Sequence, residues 1–123
     1  MKFTLDRPAT RHVVRGYSPG ALRIGEQEYS RSVIVSATTL ITDWRPQRMD
    51  ELTAADLEPV LALQPEVLLL GSGVRQVFPP HELLARLYAA RVGFEVMDTG
   101  AACRTYNVLV GEGREVAAAL LIT

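Results

Sequence analysis

The hydrophobic pattern changes character near the middle of the chain. Between residues 12 and 44, short apolar runs are separated by turn sequences such as Ser18-Pro19-Gly20 and Gly25-Glu26-Gln27-Glu28. This spacing is typical of short strands joined by tight turns, and it predicts an N-terminal antiparallel β-meander. The predicted strands cover residues 12–17, 21–24, 29–36 and 40–44, and Phe3 and Leu5 predict a further edge segment within residues 1–10.

The next element has the apolar spacing of a helix, but Pro59 limits where that helix begins. With Thr53 as N-cap and Asp56 three residues later, Pro59 stands at the sixth helical position, where its missing N–H costs about 3 kcal/mol. With Asp56 as N-cap, Pro59 stands at the third position, whose N–H needs no intrahelical partner. We therefore predict a helix from about 57 to 64. Its inner face comprises Leu57, Val60, Leu61 and Gln64.

Residues 67–70 are four consecutive aliphatic residues with no polar alternation. A strand covered on both faces has this pattern, so we place it at the centre of a sheet. A loop follows over residues 71–79, and it is predicted to be anchored by Val74, Val77 and Phe78.

Residues 80–91 predict an amphipathic helix, with Gly93 as its stop signal and a strand at 94–98. The predicted inner face of this helix comprises Leu83, Leu84, Leu87 and Tyr88. The resulting strand–helix–strand unit predicts two parallel strands.

Residues 99–113 fit two structures, because Val108 to Val110 could extend as a strand. We predict a helix, with Thr99 as N-cap and a glycine at its end. Its apolar face would comprise Ala102, Cys103, Tyr106, Leu109 and Val110. Residues 114–122 predict a last buried strand, whose alanines would allow a helix to approach closely.

Composition narrows the functional classes. The 123 residues are 48% hydrophobic and carry a formal net charge of −1, which favours one folded domain over residues 1–123 and gives no basic surface for nucleic acid. The β-rich part covers about residues 1–46 and the α/β part about 50–123. No apolar run reaches the roughly 20 residues of a membrane span, and the N-terminus lacks the apolar core of a signal peptide. We therefore predict a cytoplasmic protein.

Several motifs together resemble a small uncharacterised family that includes the mitochondrial NADH dehydrogenase (complex I) alpha subcomplex assembly factor. They are Asp43-Trp44, Leu69-Leu70-Gly71-Ser72-Gly73, Pro79-Pro80, and the segments 98–109 and 112–120. The resemblance covers residues 12–122, and the motif from Asp98 to Leu120 is its specific part.

The resemblance implies a compact three-layer α/β fold with about three helices. Its central sheet would be mixed, with the last strand antiparallel to the others and a β-rich face from the N-terminal part. It also implies a helix at 101–111 and a strand at 115–122. The family has no established enzyme activity. Because we expect no organelle-targeting extension on this chain, the assembly role is not expected to transfer directly to complex I.

The candidate cleft lies where the strands end. Its residues are Gly71, Ser72, Gly73, Asp98, Cys103, Arg104 and Asn107. Glycines after a strand can present backbone amides to an anion, and an acidic residue about 20 positions later can bind a ribose. Gln76 stands where a dinucleotide fingerprint has glycine or alanine, and Pro79-Pro80 delays the helix, so we favour a structural turn with positive φ.

The other polar residues of this cleft have structural alternatives. Cys103 beside Arg104 could form a thiolate, but neither His12 nor His81 is linked to it as a base, so we predict a packed core cysteine. Asn107 is a poor helix former, and we predict a hydrogen bond to a loop backbone, with ligand contact as the alternative. We expect Trp44 in the core.

We therefore predict a non-catalytic protein of protein-binding or assembly type, with no metal and no cofactor. The alternative is a small-ligand or anion-binding protein, or a small enzyme, with its site around Gly71–Gly73 and Asp98–Asn107. The expected partner is a protein, with a small ligand as the alternative. We expect neither a nucleic-acid partner nor a membrane span, and we expect either a monomer or a weak dimer.

Overall fold

The structure, a computed structural model, describes residues 11–123. The edge segment predicted within residues 1–10 lies outside the described residues. The strands are β1 (Val14–Ser18), β2 (Ala21–Ile24), β3 (Gln27–Tyr29), β4 (Val33–Ser36), β5 (Leu40–Ile41), β6 (Val67–Gly71), β7 (Gly93–Met97) and β8 (Val116–Leu120). The helices are α1 (Ala54–Leu61), α2 (His81–Ala89) and α3 (Thr99–Gly111), and a short 3-10 helix covers Met49–Glu51.

The strands form two sheets rather than one meander. Strands β1, β2 and β3 make a three-stranded antiparallel sheet, and the other five form a mixed sheet in the order β5-β4-β8-β6-β7. The predicted strand over residues 29–36 is therefore wrong, because β3 ends at Tyr29 and β4 starts in the second sheet at Val33. The predicted strand at 40–44 shortens to β5, since Asp43 has a positive φ of 54°.

Strand β6 lies at the centre of the mixed sheet, as the aliphatic run predicts. Leu68, Leu69 and Leu70 are all buried. Leu69 packs with α3 and the small sheet, whereas Leu68 and Leu70 pack with α1 and α2 on the other face. The side chains of a strand alternate between its two faces, so one strand serves both cores. The predicted three-layer α/β architecture is confirmed.

The direction of the last strand corrects one expectation. Strand β8 is antiparallel to β4 but parallel to β6. Helix α3 carries the chain from the end of β7 back to the level at which β7 starts. Strand β8 therefore runs in the same direction as β7. The alanines of β8 are fully buried and face both cores, with Ala118 on the α3 side and Ala117 and Ala119 on the other.

Helix α1 begins about three residues earlier than predicted. The Asp56 carboxylate accepts hydrogen bonds from the N–H (2.8 Å) and the hydroxyl (2.9 Å) of Thr53, which is the N-cap. The Trp44 indole N–H donates to the Asp56 carbonyl at 3.0 Å, and the Arg45 guanidinium lies 2.6 Å from the carboxylate. These contacts offset the hydrogen bond lost at Pro59, inside the helix. Trp44 is buried, as predicted.

Two further expectations in the next unit are wrong. Helix α2 is stopped by Arg91, which has a positive φ of 62°, whereas Gly93 is the first residue of β7. Leu83 and Leu87 are buried on α2, but Tyr88 is 71% exposed. Its ring contacts Phe94 edge to face, with 5.3 Å between centroids. Strands β6 and β7 are parallel, as the strand–helix–strand pattern predicts.

Candidate functional site

The loop after β6 and the start of α3 meet through one buried threonine. The Thr99 hydroxyl accepts a hydrogen bond from the Gly73 N–H at 2.8 Å and donates to the Leu121 carbonyl. The Thr99 N–H donates to the Gly73 carbonyl at 2.8 Å. Thr99 was predicted to be the N-cap, but it is the first helical residue. It holds the two segments of the candidate cleft together.

The glycines of this turn serve close packing. A Cβ on Gly71 would lie 2.9 Å from Leu120 Cδ2 and 3.0 Å from Thr99 Oγ1. Gly73 has φ +100°, and a Cβ there would collide with the Thr123 carbonyl oxygen. The N–H of Ser72 donates to the Met97 carbonyl at 2.9 Å, and Gly73 is already bonded to Thr99. These two amides are therefore satisfied within the chain, and the favoured structural turn, with positive φ at Gly73, is confirmed.

The β6–α2 loop, residues 72–80, is fixed by its own polar side chains. The Ser72 hydroxyl donates to the Arg75 carbonyl and accepts from the Val77 N–H at 2.9 Å. The Gln76 side-chain N–H donates to the carbonyl of Val96 in β7 at 2.9 Å. The side chains of Ser72 and Gln76 thus fix the part of the loop between residues 72 and 77.

The same loop directs its large apolar side chains outward. Val74 and Phe78 are each 62% exposed and Val77 is 45% exposed. Their predicted role as core anchors is therefore wrong, because Ser72 and Gln76 supply the anchoring. A hollow of about 270 Å³ adjoins Val74 and Val77, and Met49, Ser72, Arg75 and Thr123 also line it.

A second hollow, of about 300 Å³, lies between β1 and α3. Its lining includes Tyr17, Gly100, Cys103, Arg104 and Asn107. Ser72 lines the first hollow and Arg104 and Asn107 the second. The structure thus separates Ser72 from Cys103, Arg104 and Asn107. The other predicted cleft residues, Gly71, Gly73 and Asp98, line neither of these two hollows.

Asn107 makes a structural bond, although to a different partner from the one expected. Its side-chain oxygen accepts from the Val14 N–H at 2.9 Å, and its side-chain N–H donates to the Val14 carbonyl at 2.8 Å. The amide thereby pairs with β1 as a neighbouring strand would, rather than with the turn at Gly71–Gly73.

Two further polar residues of the predicted cleft, Asp98 and Cys103, are poorly suited to nucleophilic chemistry. Asp98 is the N-cap of α3, and its carboxylate accepts from the Ala101 N–H at 2.8 Å. Cys103 is buried, and burial raises the pKa of its thiol to about 12, although Arg104 acts in the opposite direction. Burial also raises the pKa of Tyr17, with Cys103 and Asp98 adding to the effect. The raised pKa keeps the Cys103 thiol neutral. Because the thiolate is the reactive form, Cys103 serves as a packed side chain rather than as a nucleophile.

Neither a metal cluster nor a spanning helix is found in the described part of the chain. Within residues 11–123, no group of three His, Cys, Asp or Glu side chains is arranged to hold a metal ion. None of the helices described is both long and apolar enough to cross a membrane.

Sequence reasoning missed the exposed apolar loop. The available signal was three large apolar residues at 74, 77 and 78 followed directly by Pro79-Pro80. Their i, i+3, i+4 spacing matches one face of a helix, but the two prolines disfavour a helix over these residues. No regular element therefore buries them, and they face outward.

Comparison with known proteins places these features in a family. The model described as "Protein of unknown function (DUF498/DUF598)" matches residues 14–121. A Francisella tularensis protein named "13 kDa major membrane protein" is 31% identical over 108 residues, which are 85% of this chain and 86% of that protein. A crystal structure of a Bordetella parapertussis protein has a TM-score of 0.86 at 37% identity, covering 93% of this chain and 98% of that chain.

A longer relative carries the predicted resemblance. The Danio rerio protein named "NADH dehydrogenase (ubiquinone) 1 alpha subcomplex assembly factor 3" is 32% identical over 112 residues. The match covers 89% of this chain and 63% of that protein. The resemblance predicted from the segments around Gly71–Gly73 and Asp98–Leu120 is confirmed.

Proposed function

Because this chain belongs to the family of proteins of unknown function DUF498/DUF598, we propose that it is a non-catalytic protein-binding domain that assists the assembly of a larger complex. One observation carries the proposal: a loop fixed by internal hydrogen bonds exposes Val74, Val77 and Phe78. Exposed apolar groups cost free energy in water unless a partner covers them. A loop already held in one conformation loses little entropy on binding.

The polar groups at the N-cap of α3 and along this helix support the non-catalytic part of the proposal. Asp98 and Asn107 are already hydrogen bonded within the chain, and Cys103 is a buried neutral thiol. We propose that the predicted cleft residues act by shaping the partner surface: Gly71, Ser72 and Gly73 position the loop, and Arg104 lies at the rim of the second hollow. Small-ligand or anion binding stays the alternative prediction.

The relatives suggest what kind of partner to expect. The Danio rerio relative is named as an assembly factor of NADH dehydrogenase, which supports a protein partner within a multi-subunit complex. The net charge of −1 gives no support to a nucleic-acid partner. We also propose a cytoplasmic location. The Francisella relative is named as a membrane protein, so this location is tested by fractionation of native cells. Recovery of the chain in the membrane pellet would contradict it.

The test is affinity capture with the full chain in cells that express it. The bait is compared as the unaltered chain, as the triple variant V74S/V77S/F78S, and as V108S. Val108 is 58% exposed on α3 and provides a matched control for loss of exposed apolar surface. We expect one set of partners with the unaltered chain and V108S, and at least about tenfold less with the triple variant.

The captured partner must also belong to a larger complex. In a strain that lacks the gene, native gel electrophoresis should show a lower amount of that complex and accumulation of a smaller intermediate. Equal capture by the unaltered chain and the triple variant, or an unchanged amount of every complex that contains the partner, would overturn the proposal.

A further inference from the structure

Strand β7 ends the mixed sheet on one side and presents an unpaired backbone edge. Among the strands described, its only neighbour is β6. The Met97 carbonyl accepts from Ser72 on the β6 side, whereas the Val96 carbonyl points the other way and accepts from Gln76. Peptide groups alternate in direction along a strand, so the N–H and carbonyl of Phe94 and the N–H of Val96 also face away from β6.

Exposed apolar side chains accompany this edge. The Tyr88 ring, 71% exposed, contacts Phe94 on one face of the strand. Val77 and Phe78 directly follow Gln76, whose side chain is bonded to the edge itself. Three of the large apolar side chains that the structure exposes are thus tied to the unpaired edge by a direct contact or by adjacent sequence.

We propose that the β7 edge binds an extended segment of a partner protein, which adds to the sheet as a sixth strand. Unpaired edge groups are a template for strand addition, in which backbone hydrogen bonds give affinity and alternate side chains give specificity. Gln76 already bonds the Val96 carbonyl and keeps the loop in place, so the incoming strand pairs with the N–H and carbonyl of Phe94 and the N–H of Val96. The inference rests on the proposed function and identifies its partner chemistry.

Charge indicates a different chain rather than a second copy of this one. Glu95 is exposed at the middle of β7. If β7 paired along its full length with β7 of another copy, antiparallel geometry would place Glu95 opposite Glu95. Like charges directly opposite each other destabilise a strand pair. The occupant is therefore a segment with a basic residue opposite Glu95 and apolar residues on the face shared with Phe94 and Tyr88.

The test uses a synthetic probe, a fluorescein-labelled nonapeptide in which valine alternates with lysine. A second peptide is N-methylated at every other residue, which removes the backbone donors facing the edge without altering the protein. A third carries glutamate in place of lysine. Fluorescence anisotropy with the full chain should show at least about tenfold weaker binding for the N-methylated peptide and up to about fivefold weaker binding for the glutamate peptide. In the E95K variant the preference between lysine and glutamate should reverse.

Amide hydrogen exchange locates the contact. We expect the Phe94 and Val96 amides to exchange at least about tenfold more slowly with the valine–lysine peptide bound, and the already bonded Ser72 amide to be unchanged. Equal binding of the N-methylated peptide would overturn the inference. So would amides of Phe94 and Val96 that are protected before peptide is added, or a chain that dimerises in sedimentation and loses the dimer with peptide.

These outcomes separate the inference from the function on which it rests. If affinity capture recovers no loop-dependent partner but the peptide binds at β7, the proposed function is wrong and the edge is still competent. If capture depends on the loop but the peptide does not bind, only the strand-addition inference is wrong.

Discussion

The β6–α2 loop and helix α3 meet just beyond the ends of β6 and β7, but they use their side chains in opposite ways. In α3, the polar groups of Asp98 and Asn107 are bonded inside the chain. In the loop, Val77 and Phe78 face outward while Ser72 holds the backbone. The side chains that resemble catalytic groups therefore maintain the fold, and those that resemble core residues are free to contact another molecule.

The physical reason is the balance of hydrogen bonds at the ends of elements. The amides at a helix start have no partner within the helix, and a strand edge has donors and acceptors without a neighbouring strand. Asp98 satisfies the first need and Asn107 the second, at Val14. Because a loop has no regular ladder, its serine and glutamine are used for local bonding, and its apolar side chains have no core to fill.

Thiol labelling of Cys103 is the largest expected effect and sharpens the α3 side of the comparison. Burial raises the pKa of Cys103 from 9.0 to about 12, which lowers the thiolate fraction at pH 8 about a thousandfold. We expect disulfide-reagent labelling of the folded chain to be slower than labelling in guanidinium by about that factor. The unfolding free energy should fall as pH rises above about 9, because the unfolded thiol ionises first.

The control for labelling is a V108C variant in a C103A background, whose thiol occupies an exposed position on the same helix. That thiol should react at the rate of an ordinary exposed cysteine. Labelling of Cys103 within about tenfold of its rate in guanidinium would show an accessible thiolate. Cys103 would then be a candidate nucleophile in the second hollow.

Asn107→Ala tests whether the side-chain amide of Asn107 in α3 stabilises the fold. The change leaves the N–H and carbonyl of Val14 without their partners at 2.9 and 2.8 Å. Alanine improves helix propensity slightly, so we expect the unfolding free energy to fall by about 1.5 kcal/mol in urea titration. Val108→Ala, at the exposed neighbouring position, should change it by less than about 0.5 kcal/mol. An unchanged stability for Asn107→Ala would mean that its amide is available to a ligand.

The two regions also show how far the residues alone predict the molecule. The aliphatic run at 67–70, the alanines of β8 and the inner face of α3 identified buried elements, because burial on both faces leaves a plain hydrophobic pattern. The start of α1 was missed because its cap is stabilised by Trp44 and Arg45, which are distant in sequence. The partner of Asn107, 93 residues away at Val14, was missed for the same reason.

The triple variant V74S/V77S/F78S is expected to have the smallest effect on stability, and this small effect is what distinguishes the loop from α3. These side chains are 45–62% exposed, so the folded chain gains little from them and the unfolding free energy should change by less than about 0.5 kcal/mol. Leu83→Ala, at a buried position of the adjacent helix α2, should instead cost about 3 kcal/mol in the same urea titration. If the triple variant lost more than about 2 kcal/mol, the three residues would be core anchors, as their apolar character first indicated. A stable triple variant that no longer captures the partner would instead assign their apolar surface to binding, because a side chain that stabilises neither the core nor the loop can affect capture only through contact with the partner.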